Sequence, residues 1–133
     1  SASGSITDKV SIEKLVLACG VKTENLIVVD PYDLDSTKEA IKKGYQSTEP
    51  FVIITRRECA LLKPIQLERA KMKCQIDSEK CRFCKACIRT GCPALQIDRY
   101  NKKVFIDTVQ CNGCTVCLQV CPYDAIKRVG ENK

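Results

Sequence analysis

The chain has 133 residues, among them eleven Cys and neither His nor Trp, and a formal net charge of +6. Without His it cannot build a Cys/His zinc finger, a Rieske centre, a His-ligated haem or a His-based catalytic triad. The odd Cys count also excludes a fully paired disulfide framework. No apolar run approaches the roughly 20 residues of a membrane span, and no secretory signal opens the chain. The cysteines are therefore expected to hold metal, in a soluble protein of a reducing compartment, the cytoplasm.

Residues 1–10 start Ser-Ala-Ser-Gly-Ser and read as a tag or linker. Next, Ile12, Leu15, Val16 and Cys19 fall on one helical face, with Ser11 as N-cap and Gly20 just past the end. Cys19 then packs as a small hydrophobe. Residues 26–30 (LIVVD) and 51–55 (FVIIT) are short, β-branched apolar runs, the habit of parallel strands buried on both faces. Between them Ser36-Thr37-Lys38-Glu39 has capping-box spacing and Gly44 marks a stop, which predicts a right-handed βαβ unit. Two strands do not fill such a sheet, so residues 11–67 are expected to be a piece of a larger α/β domain, completed by another chain or by further sequence. Pro31-Tyr32-Asp33, at the carboxyl end of the first strand, reads as a turn and helix entry in preference to a ligand site. No phosphate-cradling glycine motif is present. Arg56-Arg57-Glu58 forms either a surface ion-pair patch or a subunit contact.

Residues 63–73 join the halves, and Pro64 is placed to open a short helix. Met72, Cys74 and Ile76 alternate with polar residues as in a half-buried strand, which turns Cys74 inward as packing. An internal repeat follows. Ile76-Asp77-Ser78 leads into Cys81, Cys84 and Cys87, and Ile106-Asp107-Thr108 leads into Cys111, Cys114 and Cys117. Each triplet ends in a Cys-Pro, at Cys92-Pro93 and Cys121-Pro122. Thiolates three residues apart let one loop curl around a metal–sulfide cubane, with the intervening N–H groups free to face its sulfides. Structural zinc favours two short Cys pairs set a dozen or more residues apart, so the triplets fit iron–sulfur better than zinc.

Each proline suits a helix start just after its Cys. Residues 95–98 and 104–107 flank a polar turn and read as a hairpin. Residues 73–77 pair with 126–129 as a second ribbon, and Phe83 and Tyr123 shield the metal from water. Cys19, Cys59 and Cys74 remain as packing residues. The basic charge lies wholly in residues 68–133, which carry thirteen basic and seven acidic side chains. Two clusters of charge 2− would bring that half down to about +2, which removes the case for a nucleic-acid partner.

The joined spacing of the second half resembles the bacterial-type 2[4Fe–4S] ferredoxins, in which the fourth Cys crosses to the other cluster. That resemblance implies one [4Fe–4S] cluster on Cys81, Cys84, Cys87 and Cys121, and a second on Cys92, Cys111, Cys114 and Cys117. The four residues between Cys87 and Cys92, where three are usual, alter that loop and not the ligand set. The overall class is α+β: a partial βαβ segment followed by a ferredoxin-like domain with a pseudo-twofold internal repeat, over residues 68–133.

A narrower resemblance joins the two halves. Val-Val-Asp-Pro-Tyr-Asp-Leu at 28–34 and Ile-Ile-Thr-Arg-Arg-Glu-Cys-Ala-Leu-Leu at 53–62, followed by the Cys motifs, are similar to the C-terminal end of the alpha subunit of indolepyruvate ferredoxin oxidoreductases. It implies that residues 11–67 end a domain of the thiamine-diphosphate type. It also implies an enzyme that converts aryl pyruvates and coenzyme A to acyl-CoA, carbon dioxide and reduced ferredoxin. Partners would then be the rest of the alpha subunit, a beta subunit and a soluble ferredoxin. The family's diphosphate-and-magnesium signature is absent from these 133 residues, so thiamine diphosphate and magnesium belong to the full-length family protein and this chain is expected to be non-catalytic alone. The alternative is a ferredoxin-type carrier or binding subunit fused to a non-catalytic α/β segment.

Overall fold

The computed structural model describes Ser5 and residues 8–130; most of the segment read as a tag or linker lies outside the described residues. The chain forms two compact units, residues 1–58 and 59–133, so residues 59–67 belong with the second unit. Each is a small mixture of helices and strands.

The first unit holds α1 (Ile12–Ala18), β1 (Leu26–Val29), α2 (Leu34–Gln46) and β2 (Val52–Thr55). The Ser11 side chain accepts from the Lys14 N–H, and Gly20, at φ 91°, sits past the C-cap. β1 and β2 are parallel, Leu26 opposite Val52 and Val29 opposite Thr55, and α2 crosses between them. Two expectations about α2 need correction. Its N-cap is Asp33, which accepts from the Ser36 N–H at 3.1 Å and from the Ser36 hydroxyl at 2.6 Å. Asp33 therefore does the capping expected of Ser36, and the helix begins earlier. Gly44 does not stop the helix either. It lies inside it, where an added Cβ would come within 3.0 Å of the Phe51 ring.

Burial here is partial, because α2 is the one long helix packed on the sheet. Val29, Ile54 and Ala40 are buried, yet Val28 is 44 % exposed, against the expectation of strands covered on both faces. Cys19 and Cys59 are exposed too, so neither packs as expected. α1 buries none of its residues, and Cys59 follows β2 in an irregular turn. The charge cluster after β2 is a set of local ion pairs: Arg56 with Glu13 at 2.5 Å, and Arg57 with Asp30, its guanidinium 4.5 Å from the centre of the Tyr32 ring.

The second unit contains α3 (Lys63–Ala70), β3 (Cys74–Ile76), β4 (Leu95–Asp98), β5 (Lys103–Ile106), α4 (Val116–Val120) and β6 (Ile126–Arg128). Pro64 opens α3 as expected. β4 and β5 form the hairpin, Leu95 opposite Ile106, and β3 pairs antiparallel with β6, Cys74 opposite Arg128. Cys74, Cys87, Leu95, Val104 and Ile126 make up the core. Matching hydrogen bonds recur in the two repeats. Asp77 N–H donates to the Ala125 carbonyl at 2.7 Å, and Asp107 N–H to that of Ala94 at 2.8 Å. Cys81 and Cys111 N–H donate to the Asp77 and Asp107 carbonyls, both at 3.0 Å.

No helix starts at Pro93 or Pro122. A turn follows each, and the helical turns precede the Cys-Pro pairs, at Ile88–Thr90 and in α4. The chain must be extended by Leu95 and Ile126, which leaves no room for a helix after either proline.

Candidate metal centres

Both Cys triplets sit in loops with the same backbone. Phe83 and Lys85 in the first loop have φ 53° and 62°; Gly113 and Thr115, thirty residues on, have φ 69° and 60°. Side chains rarely accept this left-handed conformation, at a cost of roughly 1–2 kcal/mol for a residue other than Gly. Alternation of right- and left-handed residues turns successive N–H groups to one side, the arrangement that receives anions. Strain repeated at matched positions belongs to a site.

The sulfurs gather around two cavities. The first is lined by Cys81, Cys84, Cys87 and Cys121, with Val104 and Ile126 as apolar walls. Cys92, Cys111, Cys114 and Cys117 line the second, together with Leu95 and Cys74. Each cavity thus receives three thiols from one Cys triplet and one from the other repeat's Cys-Pro pair, and Cys74 adds a fifth to the second. The volumes differ, about 20 Å³ against about 180 Å³. Cys84, Arg82 and Lys85 are on the surface there. Among the described residues no three Cys, Asp or Glu side chains converge on one point as a single metal ion requires. Four soft thiols spread around a cavity suit an iron–sulfur cluster.

Backbone donors reach the sulfurs. Ala125 N–H donates to Cys121 Sγ at 3.3 Å. The N–H groups of Ile88, Val116 and Leu118 approach Cys87, Cys114 and Cys117 and favour their thiolates. Against that, burial raises the Cys87 and Cys114 thiols above the ordinary range. Loss of water disfavours the anion unless a metal supplies the compensating charge. Cys117 lowers the Cys74 thiol, while Cys74 and burial together raise that of Cys117. Phe83 packs against the core, with Lys85 Nζ 4.9 Å from its ring centre, whereas Tyr123 is 47 % exposed. Cys74 packs inward in the core as its alternation implies, and it also lines the second cavity.

Residues 73–126 match the family model of the 4Fe-4S dicluster domain. Over 129 residues, 94 % of its length, the chain is 40 % identical to the indolepyruvate oxidoreductase subunit IorA of Pyrococcus abyssi and to that of Pyrococcus horikoshii. It is 37 % identical over 96 % of its length to the subunit of the same name from Methanothermobacter thermautotrophicus. The chain is homologous to part of IorA. It spans about a fifth of the length of these relatives. No solved structure matches it significantly. The IorA likeness takes in both units, and the dicluster match lies within the second. Among the described residues no helix is long and apolar enough to cross a membrane.

Proposed function

We propose that the chain is the electron-transfer segment of a 2-oxoacid ferredoxin oxidoreductase acting on indolepyruvate or related aryl pyruvates, and that it holds two [4Fe–4S] clusters. The observation that carries this reading is the pair of cavities, each lined by the three thiols of one Cys triplet and the Cys-Pro thiol of the other repeat. Cys81, Cys84, Cys87 and Cys121 hold the first cluster, and Cys92, Cys111, Cys114 and Cys117 the second. When bound, such clusters take up and release single electrons at low potential. The chain's own residues do the rest. Eight thiolates fix the positions, N–H groups stabilise the negative sulfurs, and Val104, Ile126 and Leu95 exclude water from the two sites.

The matching hydrogen bonds and left-handed residues support a pseudo-twofold, ferredoxin-like arrangement of residues 68–133. Within residues 11–67, the part belonging to the first unit completes a thiamine-diphosphate-type domain supplied mainly by sequence outside these 133 residues, so decarboxylation is assigned to the full-length subunit and not to this chain. The remainder of that subunit, a beta subunit and a soluble ferredoxin are the partners, in the cytoplasm, where thiols stay reduced.

Iron and acid-labile sulfide measured on protein prepared without oxygen should give about eight of each per chain; zinc without sulfide would sink the proposal. Cys121→Ala should damage the cluster on Cys81, Cys84 and Cys87. Loss confined to the other cluster would show that the ligands do not cross.

A further inference from the structure

The internal repeat makes each Cys loop a control for the other. Around the first triplet stand Lys80, Arg82, Lys85 and Arg89; the matched places thirty residues on hold Gln110, Asn112, Thr115 and Gln119. Four cations thus give way to four neutral polar residues. Glu79 is the first loop's one acid, and residues 109–120 carry no charge at all. Burial follows the same division. All four cations of the first loop are exposed, as is Cys84 among them, and Arg82 and Lys85 flank Cys84 in the lining of the first cavity. In the second loop residues 114–118 are half-buried, and Gly113 is buried against the Arg69 carbonyl of α3. No ion pair among the described residues neutralises Lys80, Arg82, Lys85 or Arg89.

We propose that the cationic loop 79–90 is the docking surface for an electron-carrier protein with an acidic face, and that electrons leave the molecule through the first centre. The inference rests on the two-cluster reading given above and names the exit within it. A centre of charge 2− leaves the first loop at about +1 and brings the second to about −2, so the first loop and not the second suits an acidic partner. A surface of one sign steers a protein of the other and raises its rate of encounter roughly ten- to a thousandfold. Electron transfer falls off steeply with distance, which favours the centre whose Cys84 reaches the surface. The step makes and breaks no bond. One electron leaves the reduced first centre, which returns to its oxidised state, and the carrier's redox group gains it. The second centre, whose loop lies against α3, passes its electron to the first.

The test uses the chain loaded with iron and sulfide, reduced with dithionite and freed of the excess. Stopped-flow mixing with an oxidised flavodoxin of negative net charge follows the flavin semiquinone, which absorbs apart from the iron–sulfur bands. The second-order rate should fall at least about tenfold when Arg82→Gln and Lys85→Gln are combined, and likewise for the wild type in about 0.5 M salt. Lys80→Gln with Arg89→Gln should slow transfer too, and carries the test if the first pair loses iron. Val109→Glu with Gln119→Glu changes the net charge equally in the second loop and should leave the rate within about twofold. Propyl viologen sulfonate, a zwitterion with no net charge to steer, should be reduced equally fast by every variant. Equal slowing by changes in both loops, a flavodoxin rate indifferent to charge and salt, or viologen reduction slowed as much as that of flavodoxin overturns the inference. Wild-type protein without sulfide would instead overturn the underlying iron–sulfur reading.

Discussion

Two demands meet at Gly113. Its φ of 69° lies in the left-handed region, and a Cβ there would come within 2.3 Å of the Arg69 carbonyl oxygen at the end of α3. Gly91 has a similar φ of 71° but open space around its missing side chain. The pair separates conformational strain from steric overlap. Gly91→Ala should cost only the left-handed penalty, about 1 kcal/mol. Gly113→Ala adds a backbone collision and should cost at least about 2 kcal/mol, in the range of the most damaging single changes. Denaturant unfolding of the two variants side by side checks this, and equal losses would show that α3 moves aside. In the matched place of the first loop, Phe83 holds the same backbone without glycine. The glycine is thus explained by the close approach of α3 more than by the turn.

At the scale of elements, the strands around the cavities serve as walls as well as ladders. Leu95 on β4 closes the second cavity and Ile126 on β6 the first. Both are buried, at 8 % and 6 % exposure. Leu95→Ala and Ile126→Ala should each cost roughly 2–5 kcal/mol, seen as an earlier thermal loss of the cluster chromophore, whereas Val109→Ser on the surface should change stability by less than about 0.5 kcal/mol. These strands were legible in the sequence because alternation at residues 72–76 and the polar turn at 99–103 are local signals. The pairing of β3 with β6 was legible from the repeat. What the sequence did not reveal depended on neighbours. Asp33 was overlooked as a cap because Ser36 and Glu39 also have capping spacing, and Gly44 passed for a stop because the Phe51 ring that needs its space is distant in sequence. The prolines after Cys92 and Cys121 pointed to helices on local grounds alone, and the strands that begin at Leu95 and Ile126 override them. The eight candidate ligands were legible because their spacing is their chemistry.

For the molecule as a whole, the second unit has few large buried side chains from which to derive stability. Its buried apolar residues are Cys74, Cys87, Ala94, Leu95, Val104, Ala125 and Ile126, of which four are Cys or Ala. Small cores of this kind are usually reinforced by metal. Stripping iron with a chelator should therefore unfold residues 59–133, while α2, β1 and β2 keep their signals, as amide hydrogen exchange resolved by segment would show. Retention of protected amides in β4 and β5 after complete iron loss would show that the apolar core suffices. The first unit faces a different deficit, a parallel pair with Val28 open to water. The surface position of Cys84, against the partial burial of Cys114 in the matched loop, has a consequence for durability. On the two-cluster reading, dissolved oxygen should meet the sulfur of Cys84 before that of Cys114, so the two proposed centres should bleach in air at different rates.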